Sequence, residues 1–270
     1  MKRSLIILGG GHLGCALARG IEADPPPFVG ELKIVEHNVA RRELLEDSLS
    51  AFQIVGEIPL IAPDAIILIA VKPSDVEQLC FSLGEALQGS HLVISCAAGV
   101  SFAALHSMLG HPARLVRCMP NLAASCRKAI TAYVAKAGET AEDTDIVERL
   151  FARVGTVVRL QSEELLHAVT AISGSGPGYL AWIAEVMERA AVDLGLPPDT
   201  SRLLVQHTFA GLAQLLLSEG VSPRTIFERV SSPNGTTVAA IRELSERGVD
   251  EALSAAIHRA VDRSRQLVRS

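Results

Sequence analysis

A glycine-rich turn near the N-terminus constrains the fold more than any other feature of this 270-residue chain. The segment Gly9-Gly10-Gly11-His12-Leu13-Gly14 follows the apolar run Leu5–Leu8 and opens a helical pattern. There the first glycine makes a tight turn, the second lets backbone approach a pyrophosphate, and the third lets the helix pack on the strand. The free N–H groups of the helix start then face the phosphates. We predict dinucleotide contacts at Gly9, Gly11, His12, Leu13 and Gly14.

An acidic residue, Glu36, ends a second predicted strand about 20 residues beyond this turn. An acid at this point commonly accepts hydrogen bonds from the adenosine ribose and repels a 2′-phosphate, which favours NADH. Asn38, Arg41 and Arg42 follow closely and could instead hold that phosphate, although a solvated helix start explains the two arginines equally well. The sequence therefore leaves NADH and NADPH open, with Glu36 and Asn38 as expected cofactor contacts.

Short apolar runs alternate with helical patterns over the first 160 residues. This alternation predicts repeated βα units and a doubly wound sheet whose strands are mostly parallel and buried on both faces. The predicted strands are Leu5–Leu8, Leu32–Glu36, Ile66–Val71, Leu92–Cys96, Leu115–Cys118 and Ile130–Val134. The predicted helices between them are His12–Ala23, Ala40–Ser48, Asp75–Leu87, Phe102–Met108 and Glu142–Arg153.

The pattern changes after Leu160, beyond which we identify helices and no convincing strand. They are Tyr179–Leu194, Thr200–Ser218, Pro223–Val230, Thr237–Arg247 and Asp250–Val268. We therefore predict an α/β fold with two domains, a Rossmann-type domain over residues 1–160 and an all-α domain over 161–270. The leucine-rich helix Thr200–Ser218 carries apolar residues on more than one face, which a lone helical bundle cannot easily bury. A symmetric partner would cover them, so we expect at least a homodimer.

Composition excludes several classes of function. A net charge of −5 argues against a bulk electrostatic grip on nucleic acid. The five cysteines are odd in number and lack CxxC spacing, so we expect neither a disulfide framework nor a metal site. The chain has no apolar run near the ~20 residues of a membrane span. We expect a soluble, cytoplasmic protein.

Three further loops follow predicted strands, where ligands of open α/β sheets bind. The first is Ala70-Val71-Lys72-Pro73, the second holds Ala97 and Gly99, and the third holds Asn121. We expect them to form the floor beneath a nicotinamide. Lys72 is a candidate catalytic cation, and a lysine that reaches solvent is an equally good interpretation.

Two loops stand out in the helical half. Ser173-Gly174-Ser175-Gly176-Pro177-Gly178 precedes a helix with small residues that permit close approach, either to a ligand or to another helix. Ser231-Ser232-Pro233-Asn234-Gly235-Thr236-Thr237 enters another helix, whose free N–H groups could receive a carboxylate. Simple helix capping is the alternative for the second loop.

These pieces, in this order, resemble the Δ1-pyrroline-5-carboxylate reductase family over nearly the whole chain. The most specific segments are Ala70–Pro73, Ala97–Ser101, Ala168–Pro177 and Val230–Thr237. The family usually has Pro-Gly-Gly at Pro233–Gly235 and Asn-Thr-Pro at Asn121–Ala123, and it usually has Ala at Gly178. Asn234 is compatible with the left-handed conformation that glycine provides. Leu122 removes a hydroxyl near the expected nicotinamide pocket.

The resemblance implies NADPH- or NADH-dependent reduction of pyrroline-5-carboxylate to L-proline by a homodimer or larger homo-oligomer. It implies that Gly235, Thr236 and Thr237 hold the substrate carboxylate, that the Thr237 hydroxyl assists the imine nitrogen with Ser232 nearby, and that Ser175 and Gly176 contact substrate.

Two alternatives remain. One is a reductase of a related cyclic imine or small keto acid, for which His167 is the only acid–base candidate early in the helical half. We interpret His167 as a solvated or capping residue. The other is a dinucleotide-sensing homologue with weak catalysis, which Leu122 and Asn234 motivate.

Overall fold

The computed structural model describes residues 2–87, 91–110, 113–136 and 138–267. Packing of the backbone divides the chain into two compact units. The first runs to Ser175 and takes in the C-terminal segment from Ala260, and the second is Gly176–Arg259. The domain boundary that we place after residue 160 stays a prediction.

The first unit is built on eight strands with helices between them. The strands are β1 (Arg3–Leu8), β2 (Val29–Val35), β3 (Gln53–Val55), β4 (Ile66–Ile69), β5 (Leu92–Ser95), β6 (Arg114–Met119), β7 (Ala129–Ala135) and β8 (Gly155–Arg159). The helices are α1 (His12–Ala23), α2 (Val39–Ser48), α3 (Val76–Ala86), α4 (Phe102–Leu109), α5 (Ala141–Phe151) and α6 (Leu165–Val169).

The strands form one sheet in the order β3-β2-β1-β4-β5-β6-β7-β8. Strands β1 to β6 are parallel, β7 runs antiparallel to β6, and β8 runs parallel to β7. The strand order reverses between β1 and β4, and such a reversal opens the crevice in which doubly wound sheets bind ligands. Both faces of the sheet are covered by buried aliphatic side chains, including Leu5 and Ile7 on one face and Ile6 and Leu8 on the other.

The predicted fold class is confirmed. Helix α1 has the predicted bounds, and the six predicted strands all form. Three elements were not predicted: the short β3, the half-exposed β8 and the single-turn α6. The antiparallel β7 also departs from the expected parallel pairing, because a hairpin-like return from β6 needs no crossover helix.

The second unit is helical, as predicted. Its helices are α7 (Gly176–Asp193), α8 (Pro198–Glu219), α9 (Pro223–Val230), α10 (Thr236–Glu246) and α11 (Val249–Gln266), the last of which continues into the first unit. The predicted end of the last helix, Val268, lies outside the described residues. Few residues of these helices are buried, and most leucines of α8 are exposed.

The last turn of α11 packs against α6 within the first unit. His167 Nδ1 lies 2.9 Å from Ser264 Oγ, and Arg265 pairs with Glu164 at 2.8 Å. His167 is only 7% exposed, so the expectation of a solvated or capping residue was wrong. The reason is tertiary, because Ser264 comes from a distant part of the chain.

No helix in the described part of the chain is long and apolar enough to cross a membrane.

We predict that His167 makes unfolding pH-dependent. Burial has the largest effect on the imidazole, and it lowers the pKa below its ordinary value of 6.5. The unfolded chain therefore binds more protons than the folded chain as the pH falls below 6.5, and the free energy of unfolding decreases. Urea titrations between about pH 7.5 and 5 should give a shallower pH dependence for His167→Gln than for the wild type. An equal slope would contradict the assignment.

Candidate functional site

The turn between β1 and α1 is shaped by close backbone contact. A Cβ on Gly14 would lie 2.0 Å from the Gly9 carbonyl oxygen, so only glycine lets α1 start this close to the strand. Gly9 itself has a φ of +106°. A Cβ on Gly11, in contrast, would have no atom within 4 Å, so the space at the helix start is open. Because Gly11 has no side chain, the first N–H groups of α1, including those of His12 and Leu13, are left for a ligand.

The carboxylate of Glu36 is directed into this turn. Its Oε2 accepts a hydrogen bond from Gly10 N at 3.0 Å, and its Oε1 accepts one from Asn38 N at 2.9 Å. The side chain is 8% exposed. Glu36 therefore couples the end of β2 to the glycine-rich turn, and a carboxylate oxygen retains a free lone pair for a further donor.

The start of α2 lies beside Glu36. Asn38 Oδ1 accepts from Arg41 N at 3.0 Å and so caps this helix. Arg42 Nη1 donates to the carbonyl oxygens of Glu36 at 3.1 Å and His37 at 2.9 Å. Arg41 Nη1 reaches the Gly10 carbonyl oxygen at 3.4 Å. Both guanidinium groups thus contact backbone carbonyls, although Arg41 is also exposed to solvent.

The other strand-end loops lie at the same sheet edge, since β1, β4, β5 and β6 are parallel. After β4, Ala70 and Val71 line the turn at Gly9, where a Cβ would lie 2.9 Å from Val71 Cγ1. Lys72 is exposed and precedes a 3-10 turn over Pro73–Asp75.

After β6, Asn121 begins a 3-10 turn over Leu122–Cys126. The Asn121 side-chain oxygen is buried and has no hydrogen-bond partner among the described residues. Leu122 is 67% exposed. A buried acceptor without a donor, beside an exposed apolar side chain, is suited to an amide-bearing ring.

The loop Ala97–Ser101 follows β5 and is fixed at both ends. Ala97 N donates to Ser95 Oγ at 3.3 Å, and Ser101 caps α4 by accepting from Ala104 N at 3.1 Å. Between them, Gly99 has a φ of +74°, and a Cβ there would lie 3.0 Å from Leu267 Cβ. The loop is therefore packed against the C-terminal turn.

Two thiols next to these loops stay protonated. Burial raises the pKa of the Cys96 thiol, and burial together with the neighbouring Cys96 raises the pKa of the Cys118 thiol. A protonated thiol is a poor nucleophile and metal ligand. The described residues also contain no group of three or more His, Cys, Asp or Glu side chains that could hold a metal ion.

The small-residue segment in the helical half is itself helical. A π-helical turn covers Thr170–Gly174, with Ser175 N donating to the Thr170 carbonyl oxygen at 2.8 Å. A Cβ on Gly174 would lie 2.7 Å from Met119 Cε, so Gly174 serves packing within the first unit. Gly176 begins α7, where a Cβ would find no atom within 4 Å. The expected loop at Ser173–Gly178 was therefore wrong, because all of these residues except Ser175 belong to the π-helical turn or to α7.

The second predicted loop forms a tight turn before α10. Gly235 N donates to the Ser232 carbonyl oxygen at 2.9 Å, with Pro233 and Asn234 between them. Asn234 has a φ of +60°, as expected from its tolerance of the left-handed conformation. A Cβ on Gly235 would lie 2.5 Å from Ser232 Oγ, which shows how closely this hydroxyl covers the turn.

Helix α10 starts at Thr236 with Gly235 as its N-cap, so no side chain of that residue caps it. The N–H groups of Thr236, Thr237 and Val238 therefore lack intrahelical acceptors. Thr237 is partly exposed at this end. An uncapped helix start with a nearby hydroxyl is suited to a carboxylate.

Sequence reasoning missed one polar pair next to the site. Arg117 lies on β6 with its side chain 5% exposed, and its Nη1 lies 2.6 Å from Glu163 Oε1. The signal was present, because an arginine interrupts the apolar run Leu115–Cys118. Its partner was not visible, since Glu163 lies far along the chain.

Comparison with known proteins gives two family profiles. One is described as "Pyrroline-5-carboxylate reductase dimerisation" and matches residues 163–267. The other is described as "NADP oxidoreductase coenzyme F420-dependent" and matches residues 4–99.

Curated relatives match nearly the full length of the chain. A pyrroline-5-carboxylate reductase from Pseudomonas aeruginosa is 32% identical over 267 residues, covering 97% of each chain. One from Escherichia coli is 30% identical over 272 residues, covering 100% of each. Among solved structures, a pyrroline-5-carboxylate reductase from Coxiella burnetii is 28% identical with a TM-score of 0.90 over 100% of both chains. One from Streptococcus pyogenes is 26% identical with a TM-score of 0.83, covering 97% of this chain and 98% of its own.

We predict opposite outcomes for alanine at two glycines of the turn. Gly14→Ala forces a Cβ into the Gly9 carbonyl and should destabilise the fold by about 1–3 kcal/mol. Gly11→Ala meets no atom and should change stability by less than about 1 kcal/mol, yet its Cβ fills the expected pyrophosphate position and should abolish dinucleotide binding.

Thermal unfolding and titration of each variant with reduced nicotinamide dinucleotides measure the two effects. A Gly11→Ala protein that binds like the wild type would show that the phosphates lie elsewhere.

Proposed function

The chain belongs to the pyrroline-5-carboxylate reductase family, and we propose that it catalyses the NAD(P)H-dependent reduction of 1-pyrroline-5-carboxylate to L-proline. The observation that carries this proposal is likeness to curated reductases over 97–100% of the chain, which takes in both compact units. This reaction is the last step of proline biosynthesis.

The first unit supplies the residues that would hold the dinucleotide. We assign its pyrophosphate to Gly9, Gly11, His12, Leu13 and Gly14, because the open space at Gly11 and the free N–H groups fit it. We assign the adenosine ribose to Glu36 and Asn38. When bound, the reduced nicotinamide supplies the hydride for the imine carbon.

The nicotinamide end would lie on the remaining strand-end loops. We assign it to Ala70, Val71, Lys72 and Pro73 after β4, to Ala97 and Gly99 after β5, and to Asn121 after β6. The buried Asn121 side-chain oxygen supports this, since a carboxamide donor would satisfy it.

The second unit supplies the substrate loop. We propose that the N–H groups at the start of α10, with Gly235 and Thr236, bind the substrate carboxylate. The Thr237 hydroxyl then hydrogen-bonds the imine nitrogen while hydride adds to the imine carbon, with Ser232 beside the turn. An already protonated iminium needs no strong general acid, so a hydroxyl is sufficient. Ser175 and Gly176 stay assigned to substrate contact from the resemblance alone.

A hydroxy- or keto-acid reductase is less well supported. Such an enzyme would use His167 as its acid–base group, and His167 is buried against Ser264. A dinucleotide-sensing protein with weak catalysis is also less well supported. Asn234 was one reason to consider it, and Asn234 adopts the left-handed conformation that a glycine would provide in this turn.

We propose a homodimer or larger homo-oligomer. Helix α8 exposes several leucines, and the matched profile is that of a dimerisation domain. The exposed leucines of α8 are Leu203, Leu204, Leu212, Leu215 and Leu217. We propose a cytoplasmic location, which the need for reduced nicotinamide cofactor and the five free thiols support.

We predict that Thr237→Ala lowers kcat about tenfold to a hundredfold, the scale of proton-transfer assistance. Thr237→Ser keeps the hydroxyl and should retain most of the turnover. Loss of NAD(P)H absorbance with pyrroline-5-carboxylate measures both variants and tests the proposed reaction. A wild-type protein without turnover would overturn the function, whereas an active Thr237→Ala variant would remove only this residue.

We predict that NADH is used appreciably, because the Glu36 carboxylate accepts from Gly10 N in the glycine-rich turn and, at the ribose position that we assign to it, would repel a 2′-phosphate. Glu36→Gln removes the charge and should raise the ratio of kcat/KM for NADPH to that for NADH by about tenfold. A wild type with strong NADPH preference would mean that Arg41 or Arg42 outweighs the acid.

A further inference from the structure

We infer that Glu163 is a positioning residue for the loop Ala97–Ser101, and that it acts on cofactor affinity through this loop. The inference rests on the proposed function, because it takes Ala97 and Gly99 as part of the nicotinamide floor. Glu163 is not one of the residues that we assign to the cofactor or to the substrate.

The Glu163 carboxylate joins two elements at one oxygen. Its Oε1 accepts from Arg117 Nη1 at 2.6 Å and from Phe102 N at 2.6 Å. Phe102 is the first residue of α4 and directly follows the loop. Hydrogen bonds between charged partners are short and strong, so the loop end is tied to β6 by this carboxylate.

The Glu163 carboxylate is held in position because its partner, Arg117, is buried. The Arg117 side chain is 5% exposed, and its Nε has no hydrogen-bond partner among the described residues. A buried guanidinium without a counter-charge is strongly disfavoured. Glu163 is therefore held at Arg117, and Phe102 N is held with it.

The other side of the loop rests on the C-terminal turn. Gly99 packs against Leu267, which follows α11. That turn is anchored by the buried contact between His167 and Ser264. Loss of Glu163 removes the support at Phe102 and leaves those at Ala97, Gly99 and Ser101.

We expect Glu163→Gln to weaken dinucleotide binding by about tenfold, which corresponds to ~1.4 kcal/mol. The measurements are direct fluorescence titration with NADPH and NADH, and the KM values for cofactor and for pyrroline-5-carboxylate. The cofactor Kd and KM should rise, while kcat at saturating cofactor and KM for pyrroline-5-carboxylate change less than about twofold, because only cofactor positioning is affected.

Hydrogen exchange of the cofactor-free protein tests the loop directly. The amides of Ala97–Leu105 should exchange faster in Glu163→Gln than in the wild type, since Phe102 N loses a charged acceptor. Unchanged exchange would overturn the inference without reference to the cofactor.

The matched control is Asp143→Asn. Asp143 is a buried carboxylate that pairs at 2.5 Å with Arg114, the first residue of the same strand β6. This variant removes a charge of the same kind and should lower the melting temperature, yet it should leave the cofactor Kd at the wild-type value. An equal rise in Kd for both variants would mean that general destabilisation, rather than positioning, is responsible.

Glu163→Asp keeps the negative charge for Arg117 in case Glu163→Gln does not fold. Its shorter side chain cannot reach Arg117 and Phe102 N together, so the Kd should again rise. Wild-type Kd in every folded Glu163 variant would overturn the inference alone. A wild-type protein that binds neither cofactor would overturn the proposed function and this inference with it.

Discussion

The close approach of α1 to the end of β1 is the constraint on which the first unit depends. Gly14 lies against the Gly9 carbonyl at a distance that excludes any Cβ, and this contact sets both the packing of the helix and the direction of its free N–H groups. Because β2 and β4 run parallel to β1, the loops that follow them lie at the same edge of the sheet as the glycine-rich turn. The contact between Gly14 and Gly9 therefore leaves the free N–H groups of α1 at the same sheet edge as the loops of the parallel strands, which is where doubly wound sheets bind ligands.

Much of this arrangement could be predicted because it is local. The glycine-rich turn, the bounds of α1 and the apolar runs of the central strands all follow from short-range patterns. Strand β3 escaped prediction because it is three residues long and lies at the sheet edge, and β8 because its side chains are half exposed. The antiparallel direction of β7 is a property of pairing, which no single run of residues encodes.

The polar details of the site could be predicted only in part, for a related reason. Glu36 was identified by its place after β2, but its bond to Gly10 N adds a structural role that spacing cannot reveal. The prediction that His167 is solvated was wrong because its partner Ser264 lies 97 residues further along the chain. Arg117 and Glu163 are separated by 46 residues and escaped notice for the same reason. Residue type and spacing suggest candidates for ligand contact, whereas pairs that are distant in sequence can be recognised only in the tertiary fold.

The second unit raises the remaining physical question, which is how its helices are stabilised. Among the described residues, the interiors of α7 to α10 bury only Gly176, Ser201, Val205 and Ile226. Hydrophobic burial is the dominant favourable term in folding, and a helical unit with so small a core gains little of it from its own residues. A second copy that covers the exposed leucines would supply the missing burial. The stability of this unit would then depend on protein concentration.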